Sequence, residues 1–310
     1  MNAIHPTAAF AADTPDASDA PDFDISGRAL LVAATVRMWN GDKRDRSITR
    51  EVCDLKGAAA DSVRVNKSLL GDAIRPVEAA GRAVRETVAA RTLPWMDDGT
   101  RVLKGSAYLG FTRAVAGPVA AFEAAVDAFV EGYPAVIGAA RRRLGAAFSE
   151  ADFPPQARLR ERFGVKLVYL PVPSGQDFRV ALASEEIEAV RRGAEDALRE
   201  GVRDAVRELL GRMRAPVERM ATRLRLYGRD AEGKVEHPFR DSLVDNVREI
   251  VGLVPMLDLL DDPEVAAICA EMERCLTVHD PEALRRSSDL RAKVAGEADE
   301  ILRRMRGAFG

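Results

Sequence analysis

The chain has 310 residues, of which 47% are hydrophobic and 31% are charged, values typical of a folded globular protein. Its net charge of -3 excludes a uniformly basic nucleic-acid binder and an acidic mimic of nucleic acid. Three cysteines are too few for a disulfide framework and indicate a reducing compartment.

The N-terminal part of the chain is predicted to be a polar tail followed by a strand. Residues 1–24 contain five acids and neither lysine nor arginine, which predicts a disordered acidic tail without the features of a signal peptide. Residues 28–39, "RALLVAATVRMW", are apolar and β-branched and end at the turn sequence "NGD". This pattern predicts a strand.

Two helical patterns follow, separated by a break. Residues 61–91 carry an apolar stripe at spacings of three and four, with Pro76 predicted to kink or restart the helix. The break contains a predicted loop and a second short strand, "SAYLGF", at 106–111. Residues 118–148 resume the helical pattern, and Pro134 is predicted to bend or divide it.

A short extended region interrupts the helices at 165–182. Two apolar runs, 165–170 and 178–182, are joined by the turn sequence "PSGQD", which predicts a two-stranded β-tongue. Pro171 and Pro173 lack the amide hydrogen that a ladder needs, so the tongue should not lie centrally in a wide sheet. A lone ribbon is marginal in water, so we expect it to pack on the strand at 28–39 or on another molecule.

The second half of the chain is predicted to be helical throughout. Residues 184–226 show the clearest apolar periodicity, which predicts one helix roughly 60 Å long. A helix at 243–254 is followed by two helices that begin at Asp262-Pro263 and Asp280-Pro281, where aspartate caps the first turn. The last helix, 283–306, carries a narrow apolar stripe and is predicted to lie on the surface.

These elements predict a mainly α fold, an elongated bundle of long antiparallel helices with a minor β element. The minor element comprises the short strand near the N-terminus and the β-tongue. We divide the chain into the tail at 1–24, an elongated helical domain at 25–240 with the tongue at 165–182, and a C-terminal helical segment at 241–310 that packs on the same body.

No residue pattern indicates catalysis, a cofactor or a metal. The three histidines are far apart, and Cys269 and Cys275 lie on different sides of one helix, so they do not converge as ligands. "GDKRDRSIT" lacks the frame of a phosphate-binding loop, and no nucleophile elbow is present. We therefore predict no catalytic, cofactor-binding or metal-binding residues.

Charge points instead to an interaction surface. Residues 199–229 hold nine arginines and four acids, and residues 141–166 hold seven basic residues and three acids. If the helices pair, both excesses could share one surface, which would suit nucleic acid or an acidic partner, although solvated helix faces are the commoner explanation. The candidate interaction surface comprises these arginines and the tongue: Arg199, Arg203, Arg207, Arg212, Arg214, Arg219, Arg223, Tyr169, Pro171, Pro173 and Phe178.

Three stretches together resemble an uncharacterised family of bacterial and phage proteins, some of them encoded near MoxR-type AAA ATPases. They are "RMWNGDKRD" at 37–45, "LVYLPVPSGQDFRV" at 167–180 and "FRDSLVDNVREIVGLVPMLDLLDDPEV" at 239–265. The resemblance implies a bacterial or phage setting and an ATPase-linked complex, and it transfers no catalytic residues.

The favoured interpretation is a cytoplasmic, non-catalytic scaffold or interaction protein. We expect a homo-oligomer, formed through the apolar stripe at 284–305, or a protein partner such as an AAA ATPase. One alternative is a nucleic-acid-binding protein that uses an arginine-rich helix face. The other is a membrane-active, pore-forming-like protein that uses residues 105–140, although no stretch is apolar enough for a membrane span.

Overall fold

The structure is a computed structural model that describes residues 25–96, 99–173, 184–229, 231–232 and 234–309. The predicted tail at 1–24 and the second run of the predicted tongue, 178–182, lie outside the described residues.

In the described residues of the N-terminal half, short strands combine with three helices, and 3₁₀ turns join several of them. Its elements in chain order are β1 (Ala29–Arg37), β2 (Asp42–Arg44), α1 (Arg46–Lys56), β3 (Asn66–Ser68), α2 (Arg75–Ala90), β4 (Leu93–Pro94), β5 (Arg101–Lys104), α3 (Tyr108–Leu144) and β6 (Gly164–Pro171).

Where the structure describes the C-terminal half, it consists of helices and one small ribbon. Its elements are α4 (Ser184–Leu226), β7 (Gly228–Arg229), β8 (Val235–Glu236), α5 (Ser242–Leu257), α6 (Pro263–Met272) with a π turn at Glu273–Thr277, α7 (Pro281–Arg286) and α8 (Ser288–Phe309). The predicted mainly α fold with a minor β element is confirmed.

The main sheet is antiparallel and has the strand order β4-β5-β1-β6. The predicted strand at 28–39 is confirmed as β1, which pairs with β5 and β6. The predicted strand at 106–111 is wrong, because the strand lies at Arg101–Lys104 and α3 begins at Tyr108. The helix is favoured here because it buries Phe111 and Val115 on one face, at helical spacing.

The first strand of the predicted tongue is confirmed as β6, and it packs on β1. The two strands pair over eight residues, from Leu30 opposite Pro171 to Arg37 opposite Gly164. Among the described residues, β6 is an edge strand, as its prolines require. The small sheet therefore places the tongue region directly beside the N-terminal strand.

The sheet separates two groups of helices, because alternate residues of β1 point to opposite faces. Val32 joins a small core with Phe111 and Val115 of α3, next to a larger core formed by α2 and α3. Leu31 joins the other core, which contains α4 and the C-terminal helices. Pro118 and Pro134 lie inside α3, which continues through both, so of the predicted bend or division at Pro134 the division does not occur.

The long helix α4 is confirmed as one helix of 43 residues, about 64 Å at 1.5 Å per residue. It packs against α8 and α5. Its buried side chains recur at helical spacing and include two alanines: Val202, Ala205, Leu209, Met213, Val217, Met220 and Ala221. Small side chains let neighbouring helices approach closely.

The apolar stripe of the last helical segment is buried within the chain. Leu284, Val294, Ala298 and Ile301 are each 0% exposed, in the same core as α4. The prediction that this segment lies on the surface is confirmed, since Lys293 and Arg303 on its outer side are exposed. The prediction that it offers its stripe to a second copy loses its basis. The stripe is occupied by α4, α6 and α7 of the same chain, which the sequence pattern alone could not indicate.

The two predicted aspartate caps are confirmed. Asp262 accepts a hydrogen bond from the Glu264 amide at 2.8 Å, and Asp280 accepts one from the Ala283 amide at 3.2 Å. We expect Asp262→Ala to lower the free energy of unfolding by about 1 kcal/mol, because it leaves that amide without its acceptor. Urea unfolding followed by circular dichroism would measure this, and Asp262→Asn, which keeps an acceptor, should stay within about 0.3 kcal/mol. An equal loss in both variants would contradict the capping role.

Candidate interaction surface

The seven candidate arginines of α4 do not form one stripe. Since each helical residue turns by about 100°, four of them share one side of the helix and three lie on the opposite side. The first group is Arg199, Arg203, Arg207 and Arg214, and the second is Arg212, Arg219 and Arg223. The buried stripe of α4 runs between the two groups.

The first group is largely neutralised by acids on the same helix. Arg199 contacts Asp196 at 3.1 Å, Arg207 contacts Asp204, and Arg214 contacts Glu218 at 3.4 Å. These pairs are exposed and separated by three or four residues, so they stabilise the helix by a few tenths of a kcal/mol each, roughly. This face therefore presents alternating charges rather than a basic stripe.

Arg212, in the second group, has a structural role at the end of α2. Its guanidinium contacts Glu208 at 2.8 Å and donates to the carbonyl oxygens of Ala89 at 3.0 Å and Thr92 at 3.2 Å. Arg101 donates to the same two carbonyls. Burial and then the charge of Arg212 lower the pKa of Arg101. The two arginines satisfy carbonyl oxygens that a helix end leaves without partners.

The second basic run, 141–166, lies against a different core from α4. Arg141 stacks on the Phe148 ring and contacts Glu150 at 3.3 Å, while Arg143 donates to the carbonyl oxygen of Leu69. Arg160 contacts Asp127 at 3.0 Å. Ala140 and the residues that follow it pack with α2 and α3, whereas α4 packs with α5 and α8. The two basic runs therefore do not combine into the shared surface that the sequence suggested.

The tongue residues of the candidate surface lie on an exposed aromatic and aliphatic patch. The Tyr169 ring of β6 meets the Tyr108 ring edge-on at 5.2 Å, at the start of α3. Burial, and then the Tyr108 hydroxyl, raise the pKa of Tyr169. Beside these rings in sequence, Leu109 is 65% exposed and Leu170 is 49% exposed.

Pro171 and Pro173, also candidate residues, are exposed beyond Leu170, and Phe178 lies outside the described residues. We call Tyr108, Leu109, Tyr169, Leu170 and Pro171 the edge patch. Tyr169 points to the α3 side of the sheet and Leu170 to the other side, so the patch includes both faces at this border of the sheet. The sequence pointed to Tyr169 and Pro171 but missed Tyr108 and Leu109, because their stretch was interpreted as a strand. Helical spacing of Phe111, Val115 and Phe122 with the later helix was the signal that could have placed them on α3.

No family model, curated protein or solved structure matches this chain. The resemblance to the uncharacterised bacterial and phage family therefore stays a prediction. The functional proposal therefore rests on the contacts, burial and charges of the described residues.

An ion cluster that the sequence did not reveal lies in the N-terminal half. The Lys67 ammonium is 2.8 Å from a carboxylate oxygen of Asp45 and 2.6 Å from one of Asp152. It also donates to the carbonyl oxygen of Ala147 at 3.1 Å. All three charged side chains are almost buried, with exposures of 9%, 13% and 10% for Lys67, Asp45 and Asp152. Lys43 contacts the other oxygen of Asp152 at 3.3 Å and is half exposed.

Three further features of the described residues concern metal ligands, cysteine thiols and membrane spans. In that part of the chain, no three histidine, cysteine, aspartate or glutamate side chains lie together in a way that could hold a metal ion. Cys53 and Cys269 are buried, and burial raises the pKa of the Cys269 thiol, which disfavours its reactive thiolate. Within the same described ranges, no helix combines the length and apolarity needed to cross a membrane.

Proposed function

We propose that this chain is a non-catalytic interaction protein, a scaffold or adaptor of a bacterial or phage complex, and that the edge patch is its contact surface. The observation that carries the proposal is the edge-on pair of rings, Tyr108 and Tyr169, at the border of the sheet, with an exposed leucine next to each ring in sequence. Exposed apolar groups mark protein interfaces, and tyrosine is enriched in them.

The side chains of the patch define the kind of partner. They are tyrosine and leucine side chains, which suit apolar surface on another protein. The other edge of β6 is where the second run of the predicted tongue, 178–182, would pair, so that edge is not assigned to the partner. The partner we infer is a protein that buries apolar side chains against the edge patch. The family resemblance makes an AAA ATPase the first candidate to test.

The arginine faces support this proposal better than the nucleic-acid alternative. Nucleic-acid affinity depends on cations that replace counterions along the backbone. Arg199, Arg207 and Arg214 are already paired with acids on α4, and Arg212 is bound to the end of α2. The faces therefore offer fewer available charges than the composition of the segment suggests.

The edge patch can be tested by substituting its exposed leucines. We expect Leu109→Asp with Leu170→Asp to reduce capture of a specific partner from host lysate at least about tenfold, because a charge would replace buried apolar contact. The partner is identified by mass spectrometry and then purified, with an AAA ATPase among the proteins assayed.

Leu55 provides a matched control, since it is 78% exposed on α1 and is not part of the patch. Leu55→Asp should capture the partner as well as the unmodified chain does. All variants should keep their unfolding midpoints, because exposed substitutions rarely change stability by more than about 0.5 kcal/mol. Equal capture by all variants would contradict the proposed contact surface.

A further inference from the structure

A second candidate site lies away from the edge patch, between the turn after β1 and the segment 151–162. It is a cavity of about 640 Å³, within the range of small-molecule sites. The walls that matter chemically are Trp39, Phe153, Lys43, Asp42, Arg158 and Arg162. The first sequence stretch of the family resemblance, "RMWNGDKRD", supplies Trp39, Asp42 and Lys43.

The cavity combines aromatic surface with available positive charge. The Arg162 guanidinium lies 5.7 Å from the centre of the Trp39 ring. Among the described residues, neither Arg158 nor Arg162 forms an ion pair, whereas Arg160 between them is paired with Asp127. The third cation, Lys43, shares Asp152 with Lys67. Two arginines therefore line the cavity without an ion-pair partner among the described residues, and beside them stands Lys43, whose charge is balanced within the Lys67 cluster.

The carboxylates of the cavity have distinct environments. Asp152 is bound by Lys67 at 2.6 Å and by Lys43 at 3.3 Å, so its charge is balanced within the protein. Asp42 accepts a hydrogen bond from the Asn40 side chain at 3.2 Å and keeps further acceptor capacity. Such a carboxylate suits the hydroxyl groups of a sugar more than an anionic group.

The wall behind the aromatic surface is rigidly packed. The Tyr133 ring contacts both Trp39 and Phe153, with centroid separations of 6.3 and 6.4 Å. Burial raises the pKa of Tyr133 to about 12, so this tyrosine stays neutral. On the other side, the Lys67 ion cluster fixes Asp152 and, through it, Lys43. Packed supports of this kind preorganise a binding site.

We propose that this cavity binds a nucleoside phosphate. Its phosphate groups would contact Arg158, Arg162 and Lys43, because guanidinium groups bind phosphate through paired hydrogen bonds. Its base would stack on Trp39, and its sugar hydroxyls would donate to Asp42. The site does not depend on the partner proposed for the edge patch.

ADP is the probe for a direct test, with pyrophosphate and adenosine as its two parts. The chain has two tryptophans, and Trp95 is buried at 2% exposure, so quenching by a ligand reports on Trp39. We expect ADP to quench the fluorescence with a dissociation constant below about 1 mM, and to bind more tightly than pyrophosphate or adenosine. Trp39→Phe should remove the quenching, and calorimetry should detect binding independently.

The arginines supply a matched set of variants. Arg158→Gln with Arg162→Gln should weaken ADP binding at least about tenfold, since two charged contacts are lost. Arg160→Gln should stay within about twofold, because Arg160 faces Asp127. The single variant Arg158→Gln serves if the double variant folds poorly.

Three results would overturn the proposal. One is the absence of ADP binding at millimolar concentration by both methods. Another is equal weakening in Arg160→Gln and in the double variant. The third is binding of a short single-stranded oligonucleotide without binding of ADP, which would indicate a nucleic-acid surface instead.

Discussion

Replacing Trp95 with alanine is expected to lower the free energy of unfolding by about 3–5 kcal/mol, the range for buried tryptophan. Trp95 is 2% exposed and belongs to the core that contains α4. Its amide donates to the Thr100 carbonyl at 2.9 Å, which fixes the turn between β4 and β5. The side chain therefore connects the sheet to the long helix.

The contact with α4 is close enough to be tested from both sides. A Cβ atom added at Gly201 would lie 3.1–3.2 Å from three atoms of the Trp95 ring. Gly201→Leu should therefore cost roughly 1–3 kcal/mol through overpacking, although leucine favours helix more than glycine does. Both losses would be measured by urea unfolding followed by circular dichroism, since Trp95→Ala removes a fluorophore.

An exposed residue near the other end of α4 provides the control. Leu226 is 48% exposed, and Leu226→Ala should change the free energy of unfolding by no more than about 0.5 kcal/mol. If Trp95→Ala cost no more than Leu226→Ala, the sheet and α4 would not be joined through this ring. The close approach at Gly201 would then need another explanation.

Features determined by local sequence were predictable. The periodicity of 184–226 predicted α4, and the aspartates at 262 and 280 predicted two helix starts, because capping and amphipathic spacing depend on neighbouring residues. The helix α1 was missed although Asp45 caps it and Gly57 ends it with a φ of 63°. Its first turn lies in "GDKRDRSIT", whose basic and hydroxyl residues suggest comparison with a phosphate-binding loop rather than a helix start.

Features determined by long-range packing were not predictable. The stripe around Ile301 was correctly recognised as apolar, but nothing in it indicates whether α4 or a second copy covers it. The stretch 106–111 resembled a strand because aromatic and small residues suit both structures. For the candidate surface, counting arginines along α4 ignored both their angular positions and the acids three or four residues away.

The Lys67 cluster is the clearest case of a long-range contact that the sequence does not predict. Its removal is the second change for which we expect a large loss of stability. Asp45, Lys67 and Asp152 come from three separate segments, so no local pattern relates them.

Lys67→Met is expected to lower the free energy of unfolding at pH 7 by about 3 kcal/mol, because removal of one partner leaves buried carboxylates unpaired. Lys43→Met should cost less than about 1 kcal/mol, since Lys43 is half exposed.

The pH dependence of this difference follows from the pKa shifts. The Lys67 ammonium holds the pKa of Asp152 below its ordinary value, and it does the same for Asp45, which the Ile48 amide also stabilises. The two carboxylates, first Asp152 and then Asp45, raise the pKa of Lys67. The cluster therefore stabilises the fold fully between about pH 4 and pH 10. Its contribution is lost on acidification, as pH falls through the lowered aspartate pKa values, and on the alkaline side, above the raised lysine pKa.

Urea unfolding of the unmodified chain and of Lys67→Met at pH 7, 5, 4 and 3 would test both the size of the stability loss and the direction in which it changes with pH. The difference in the free energy of unfolding between the two proteins should be largest at pH 7. It should become smaller below about pH 4, where protonation neutralises the carboxylates that the variant leaves unpaired. Adding Asp152→Leu to Lys67→Met should restore part of the loss, because apolar side chains can replace a buried ion pair with little cost. A difference that stays constant from pH 7 to pH 3 would show that Lys67 acts through packing of its aliphatic chain, and the ion cluster would then not stabilise this half of the molecule.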